Sequence, residues 1–229
     1  MIARGLLQAG ARVYISSRDA HACALSAADL SVWGDCRALA ADLSTTAQCE
    51  ALAHALGQHE TALHILVNNA GATVGAPLAE FGDAQWDSVL DVNLKAVFQL
   101  TRFLRPLLER GASAGDPARV VNIGSVDGLH VPAMENYSYT ASKAALHHLT
   151  RHLAKRLGPH LTVNALALGP FVSAMTDADI GTDMAKRAPL RRIGNADDAA
   201  GAVIFLCARA GSFVTGAVIA IDGGLVTTA

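Results

Sequence analysis

Short apolar runs alternate with helix-patterned segments along the whole chain, and that alternation narrows the available folds more than any other feature of the sequence. Residues 1–9 carry Ile2, Leu6 and Leu7 at helical spacing, and Gly10 stands where a helix ends in a left-handed turn. Residues 12–16 read as a short strand, Asp19 as the N-cap of a helix reaching Leu30, and residues 36–40 as a second strand. Ser44 is expected to cap a helix running toward Gly57. The run Leu63-His64-Ile65-Leu66-Val67 is nearly all apolar, as in a strand covered on both faces, and leads straight into Asn68-Asn69-Ala70-Gly71. A long helix over 83–110, a strand over 119–123, a helix over 137–157 and a strand over 161–167 follow. Residues 169–189 read as irregular to helical, 196–208 as helix and 217–221 as the last strand. Short connections and no internal repeat point to one α/β domain over 1–229, a doubly wound parallel sheet with helices on both faces. Ligands of such a sheet bind beyond the carboxyl ends of its strands.

The composition excludes several classes of function. With 229 residues, 52% of them hydrophobic and 17% charged, the chain can bury one sizeable core. Its 18 basic and 20 acidic residues are scattered without long blocks, so no electrostatic footprint for nucleic acid or a membrane surface exists. A small-molecule site is expected instead. Cys23, Cys36, Cys49 and Cys207 have no metal-type spacing and read as small core residues of a reduced protein. The chain has no apolar run of about 18 residues and no basic-then-apolar start, which implies a cytoplasmic protein.

The chemistry concentrates on the helix over 137–157. Tyr139 and Lys143 stand four apart, so both emerge on one face and can meet around a shared ligand. A free phenol titrates near 10, too high for acid–base work at neutral pH, and a neighbouring ammonium would favour its ionised form. An exposed helix pair is the plain alternative. Company in the right order argues against it: Asn68-Asn69-Ala70-Gly71 ends a strand, Asn93 lies on the next helix, and Ser125 ends the strand after that. Tyr137 is the weaker acid, since Ala141 takes the place of a lysine four residues on.

Asn-Asn-Ala-Gly, the helix Asn, the Ser, Tyr-x-x-x-Lys and the closing Ile221-Asp222-Gly223-Gly224 together resemble the short-chain dehydrogenase/reductase family, over essentially the whole chain. Within it, residues from Phe171 to Thr176 and the closing Ile-Asp-Gly-Gly are similar to 3-oxoacyl-acyl-carrier-protein reductases. The resemblance implies a Rossmann-like fold and an enzyme that transfers a hydride between a nicotinamide and a carbonyl or secondary alcohol. It makes Tyr139 the proton donor or acceptor and Ser125 the hydrogen-bond partner of the carbonyl oxygen. Lys143 would hold the nicotinamide ribose and depress the Tyr139 pKa, and Asn93 would hold a water linking Lys143 to solvent.

The resemblance also places the cofactor. Ser17 and Arg18 follow the strand over 12–16, where an acidic residue would pair with two ribose hydroxyls; a hydroxyl and a guanidinium instead suit a 2′-phosphate, so NADP(H) is expected over NAD(H). The alternative is that Asp19 is what the ribose meets. Asp42 and Leu43 resemble the adenine-contacting pair, with Asp42 as a plain helix cap the competing reading. Asn69, Ala70, Gly71, Gly169, Pro170, Phe171 and Ser173 complete the cofactor set, with Leu168 where the family has Pro and Ser173 where it has Thr. Residues 169–190 would be the substrate lid. The family's first strand and glycine-rich phosphate loop are absent from the sequence, and Met1 to Val13 match the part that follows them. Two explanations stay open: the natural chain extends upstream of Met1, or it is a truncated, inactive paralogue serving as a scaffold or cofactor-sensing subunit.

Two further features complete the reading. His147, His148 and His152 share the helix of Tyr139, but no carboxylate or Cys at metal spacing accompanies them, so no metal is expected. Leu146, Leu149 and Leu153, with Val97, Phe98 and Leu104 on the preceding helix, would face a subunit partner in a homodimer or homotetramer, or else cover the sheet.

Overall fold

The computed structural model describes residues 1–171 and 178–228. Its elements run α1 (Ile2–Gln8), β1 (Val13–Ile15), α2 (Ala20–Leu30), β2 (Cys36–Ala38), α3 (Thr46–His59), β3 (Ile65–Asn68), α4 (Asp83–Leu90), α5 (Ala96–Gly111), β4 (Ala118–Ser125), α6 (Tyr137–Leu157), β5 (Leu161–Leu168), α7 (Ala178–Arg187), α8 (Ala196–Cys207) and β6 (Val218–Ile221). Every strand pairing is parallel. The expected α/β architecture is therefore present, and the helix ends follow their caps. Gly10, at φ +88°, closes α1 while the Ala11 N–H donates to Leu6 O at 3.0 Å. Asp19 Oδ1 accepts from the Ala22 N–H at 2.9 Å and opens α2.

The sheet has two faces with separate cores, set by the alternation of side chains along β4 and β5. Val120, Leu161 and Val163 point toward α3, α5 and α6, where Leu100, Leu104, Leu107, Leu108 and Leu153 meet them. Val121, Ile123 and Leu166 point the other way, against Leu6 of α1 and Val203 and Leu206 of α8. Leu108, Leu161, Leu166 and Leu206 are fully buried, each contributing about 1.5–3 kcal/mol of transfer free energy. The same alternation gives β4 and β5 continuous burial, since both flanks are covered.

Three expectations change, and one open alternative is narrowed. The strands form two sheets, β1-β2 and β3-β4-β5-β6, rather than one. Between them lies a cavity of about 800 Å³, lined by Val13 to Ser16 on one side and Ile65 to Asn68 on the other. β3 is for that reason half-buried instead of covered on both faces: Ile65, Leu66 and Val67 look into the cavity. Thr45, not Ser44, caps α3, its Oγ1 accepting from the Gln48 N–H at 3.3 Å, because Asp42 Oδ1 takes the Ser44 N–H in a preceding turn. Val97, Leu104, Leu146 and Leu153 are buried in the chain's own core, leaving Phe98 as the exposed member of the set read as facing a partner. Cys23, Cys36 and Cys49 are buried and unpaired, as expected of core residues, while Cys207, read the same way, is unpaired and half-buried.

A buried polar ladder crosses the interior. Asn68 Nδ2 donates to Asn122 Oδ1 at 2.9 Å, Asn122 Nδ2 to Thr150 Oγ1 at 2.9 Å, and Thr150 Oγ1 to Leu146 O at 2.8 Å, tying β3 and β4 to α6. Asn122 is the central rung. Asn122→Leu removes the nearer acceptor of the buried Asn68 amide, leaving it Thr101 Oγ1 at 3.5 Å, and should lower unfolding free energy by about 1–3 kcal/mol. Urea melts read at an unchanged slope against the unsubstituted protein measure it, and a shift of the midpoint within error would refute the ladder's importance.

Candidate active site

The carboxyl end of β4 and the first turns of α6 bring the expected residues together. Ser125 closes β4 in extended backbone, and its Oγ accepts from the Asp127 N–H at 3.1 Å as the chain turns over Val126–Gly128. α6 then starts at Tyr137, and Tyr139, Ser142, Lys143 and His147 recur at helical spacing toward β4, the last three buried. Tyr137 lies apart: its hydroxyl donates to Glu135 Oε1 at 2.8 Å and its ring meets Phe81 edge-on.

Lys143 is 4% exposed, and its Nζ donates to Ile123 O at 2.8 Å, two residues before Ser125. Burial lowers its pKa from the usual 10.5 to about 8. The Nζ sits 5.5 Å from the centre of the Tyr139 ring. Burial pushes the Tyr139 phenol up, the Ser125 hydroxyl acts against that by favouring the phenolate, and the Asp127 carboxylate adds to the rise. The net direction is opposite to the expected depression by Lys143: the phenol is raised, chiefly by burial, while the ammonium is held on a strand carbonyl beside the ring. The Asp127 pKa is itself raised by burial, with His130 and Asn136 opposing.

Asn93 reaches the same place from the other side. The segment Asp91–Lys95 between α4 and α5 is a π-helical turn, a widening common at functional sites, so the predicted single helix over 83–110 is interrupted there. Asn93 Oδ1 accepts from the Ala72 N–H at 2.8 Å, and its Nδ2 donates to Ala72 O and Ser142 Oγ, both at 2.9 Å. It pins the loop that follows Asn68-Asn69-Ala70-Gly71 onto α6. Gly71 comes so close that a Cβ there would stand 3.6 Å from Asn93 Oδ1 and 3.8 Å from Lys143 Nζ.

The remaining residues of the set ring the strand ends. Ser17 Oγ donates to Asp19 O at 3.1 Å, Arg18 is exposed, and the Asp19 carboxylate is engaged on its own helix. Arg18 lies near enough to Asp42 to help lower its pKa, after the larger effect of the Ser44 backbone. Leu43 packs on the core and, with exposed Asn69 and Ala70, lines the cavity between the sheets. Past β5, the Gly169 N–H donates to Ile221 O at 3.0 Å, Pro170 O accepts from the Gly194 N–H at 2.9 Å, and the Phe171 side chain is buried against Gly194. Ser173 lies outside the described residues. Among the described residues no group of three or more His, Cys, Asp or Glu is placed to hold a metal ion, and no helix is long and apolar enough to cross a membrane.

Two participants escaped the sequence reading. Asp127 is an acidic neighbour of the phenol, and only its place two residues past Ser125 hints at it. His147, considered solely as a metal ligand, is 3% exposed behind Lys143. The lowered Lys143 pKa has a testable consequence. The unfolded lysine, at about 10.4, binds a proton that the native one has released, so between pH 8 and 10 stability rises with pH. Urea midpoints of the unsubstituted protein should climb relative to Lys143→Met over that window, and parallel curves would contradict it.

Against known proteins, the family model described as Enoyl-(Acyl carrier protein) reductase matches residues 1–226. A Pseudomonas aeruginosa protein named rhamnolipids biosynthesis 3-oxoacyl-[acyl-carrier-protein] reductase is 48% identical over 230 residues, covering 98% of this chain and 90% of that one. The solved Pseudomonas aeruginosa RhlG/NADP active-site complex superposes with a TM-score of 0.94 at 47% identity, over 98% of this chain and 90% of that one. A gluconate 5-dehydrogenase from Burkholderia cenocepacia, solved with NADP and tartrate, gives 0.89 at 31% identity, over 100% of this chain and 90% of that one. With its parallel sheet, its Tyr139–Lys143 helix and these relatives, the chain belongs to the short-chain dehydrogenase/reductase family of oxidoreductases.

Proposed function

We propose that this chain is an NADP(H)-dependent oxidoreductase that reduces a carbonyl to a secondary alcohol, with a 3-oxoacyl thioester as its substrate class. The observation that carries the reading is Tyr139 and Lys143, one helical turn apart and both drawn against the strand end that bears Ser125. A bound nicotinamide would supply the hydride for the carbonyl carbon. Tyr139 gives its phenolic proton to the carbonyl oxygen, and the Ser125 hydroxyl hydrogen-bonds that oxygen as negative charge builds on it. Lys143 offers its ammonium to the ribose hydroxyls. Asn93, by holding both backbone groups of Ala72, keeps the loop beside Lys143 in place.

Residues at the strand ends fit the phosphorylated cofactor. Asp19, the first acidic residue after β1 in the sequence, is taken up as the cap of α2, so exposed Arg18 and Ser17 are left to meet a 2′-phosphate. Asp42 and Leu43 would contact the adenine, Asn69, Ala70 and Gly71 the middle of the cofactor, and Gly169, Pro170, Phe171 and Ser173 the nicotinamide end. Two relatives solved with NADP support the assignment. Residues 169–190 would cover the substrate. The acyl reading draws on the named activity of the Pseudomonas aeruginosa relative and on Leu129, Val131 and Met134, three exposed apolar side chains between Ser125 and Tyr139 that offer a surface to an alkyl chain. We read the protein as cytoplasmic and homo-oligomeric, with exposed Phe98 of α5 available to a second copy.

Reduction of a 3-oxoacyl thioester by NADPH, followed at the nicotinamide absorbance, should exceed that of a polyol-derived ketone. Tyr139→Phe should lower kcat by about 10²–10⁴-fold, and full activity in that variant would sink the mechanism. Arg18→Ala should raise KM for NADPH about tenfold or more while leaving NADH nearly unchanged, since one charge-assisted phosphate contact is lost. Equal effects on both cofactors would return the ribose contact to Asp19.

A further inference from the structure

His147 lies on α6 one turn beyond Lys143 and two beyond Tyr139, and is 3% exposed. Two glycines make room for its ring. A Cβ at Gly124 would collide with His147 Nε2 and stand 2.9 Å from Cδ2; a Cβ at Gly128 would stand 2.9 Å from Cε1 and 2.7 Å from the Lys143 carbonyl carbon. Either distance requires something to move, so the ring fits only because both positions lack side chains. These glycines bracket the segment that carries Ser125. Gly124 is also the residue after Ile123, whose carbonyl accepts from Lys143 Nζ.

Among the described residues neither ring nitrogen completes a hydrogen bond of ordinary geometry, although the Gly128 backbone approaches the ring. A buried polar group without a partner costs about 1–3 kcal/mol, which an aliphatic side chain filling the same notch would not incur. Burial first, then the charges of Lys143 and Arg151 on the same helix, lower the His147 pKa to about 4 against the pull of the Gly128 backbone. The ring is thus neutral at working pH and brings no second positive charge beside Lys143. Gly124 and Gly128 present it with backbone alone.

We propose that His147 is a positioning residue of this site: its ring, seated in the notch between Gly124 and Gly128, fixes the end of β4 against α6 and thereby the separation of Ser125 from Lys143. The inference rests on reading Tyr139, Ser125 and Lys143 as the reacting group. It extends that reading to a residue that touches neither substrate nor cofactor. A reacting group displaced by about 1 Å can cost 10²-fold in rate, so a loosened strand end is felt in turnover before it is felt in binding.

The test compares His147→Ala with Leu153→Ala, a core truncation farther along the same helix, in the full chain. His147→Ala should lower kcat about 10–100-fold with KM for NADPH within about threefold, whereas Leu153→Ala should leave kcat within about twofold at similar or greater loss of stability. A second readout needs no turnover. The Cε chemical shift of Lys143, assigned through Lys143→Met, should titrate near pH 8 in the unsubstituted protein. In His147→Ala it should titrate at least about half a unit higher, as water reaches the vacated notch, and it should be unmoved in Leu153→Ala. If the unsubstituted chain reduces no carbonyl, the functional reading fails while the Lys143 titration still tests this inference on its own. Should His147→Ala not fold, His147→Leu replaces it. An unmoved titration with unchanged kcat overturns the proposal, and so does an equal response in Leu153→Ala.

Discussion

The bond from the Lys143 ammonium to the Ile123 carbonyl is the contact on which the arrangement of the site depends. A lysine amine nine-tenths or more removed from water is unfavourable unless it is hydrogen-bonded, and here the acceptor is a strand carbonyl at the edge of the functional cleft. The bond joins the second turn of α6 to the last residues of β4. Once those two elements are fixed, Tyr139 is brought over Ser125 by helical period and Asn93 is brought to Ser142 by the π-helical turn. The Ser125, Tyr139 and Lys143 group is therefore a property of β4 and α6, in the most continuously buried part of the sheet, whereas Leu43, Asn69 and Ala70 line the cavity between β1 and β3.

That division explains how well the parts of the molecule could be read in the sequence. Tyr-x-x-x-Lys on a helix, Ser125 at a strand end and the Asn-Asn-Ala-Gly turn are local patterns whose geometry follows from helical and strand periods, and the structure brings them together at one edge. α6 begins and ends where its pattern of residues placed it, at Tyr137 and Leu157. Less was legible where distant segments decide the outcome. The apolar run ahead of Asn68 carries the composition of a strand covered on both faces, yet burial depends on neighbours, and β3 has a cavity beside it. Thr45 stands in place of Ser44 as the cap because Asp42 engages both the amide and the hydroxyl of Ser44, a competition that residue type alone does not resolve.

The electrostatics were the least legible. The expectation that an ammonium four residues away would pull the phenol pKa down treats the two side chains as an isolated pair. In the fold the amine is turned to a carbonyl, the phenol is buried, and a carboxylate absent from the expectation lies close by. Spacing along a helix states which groups can meet, while burial and third parties decide what the meeting does to a proton.

Those opposing influences bear on the proton that the proposed reaction transfers. A phenol held up by burial and by Asp127 stays protonated at neutral pH, the state needed to donate to a carbonyl oxygen during reduction. Ser125 acts in the opposite sense, favouring the phenolate, and so favours the state reached after the proton has left. The two neighbours therefore pull the phenol in opposite senses: Asp127 favours its protonated form, and the Ser125 hydroxyl favours its ionised form until, in the proposed reaction, its single O–H turns to the carbonyl oxygen. Because Asp127 is itself raised by burial, its charge and hence its grip on the phenol weaken as pH falls, so this bias is strongest where the carboxylate is ionised. The turn Val126–Gly128 places both effects within two residues of each other, which makes the short segment between the two glycines the element that balances the site.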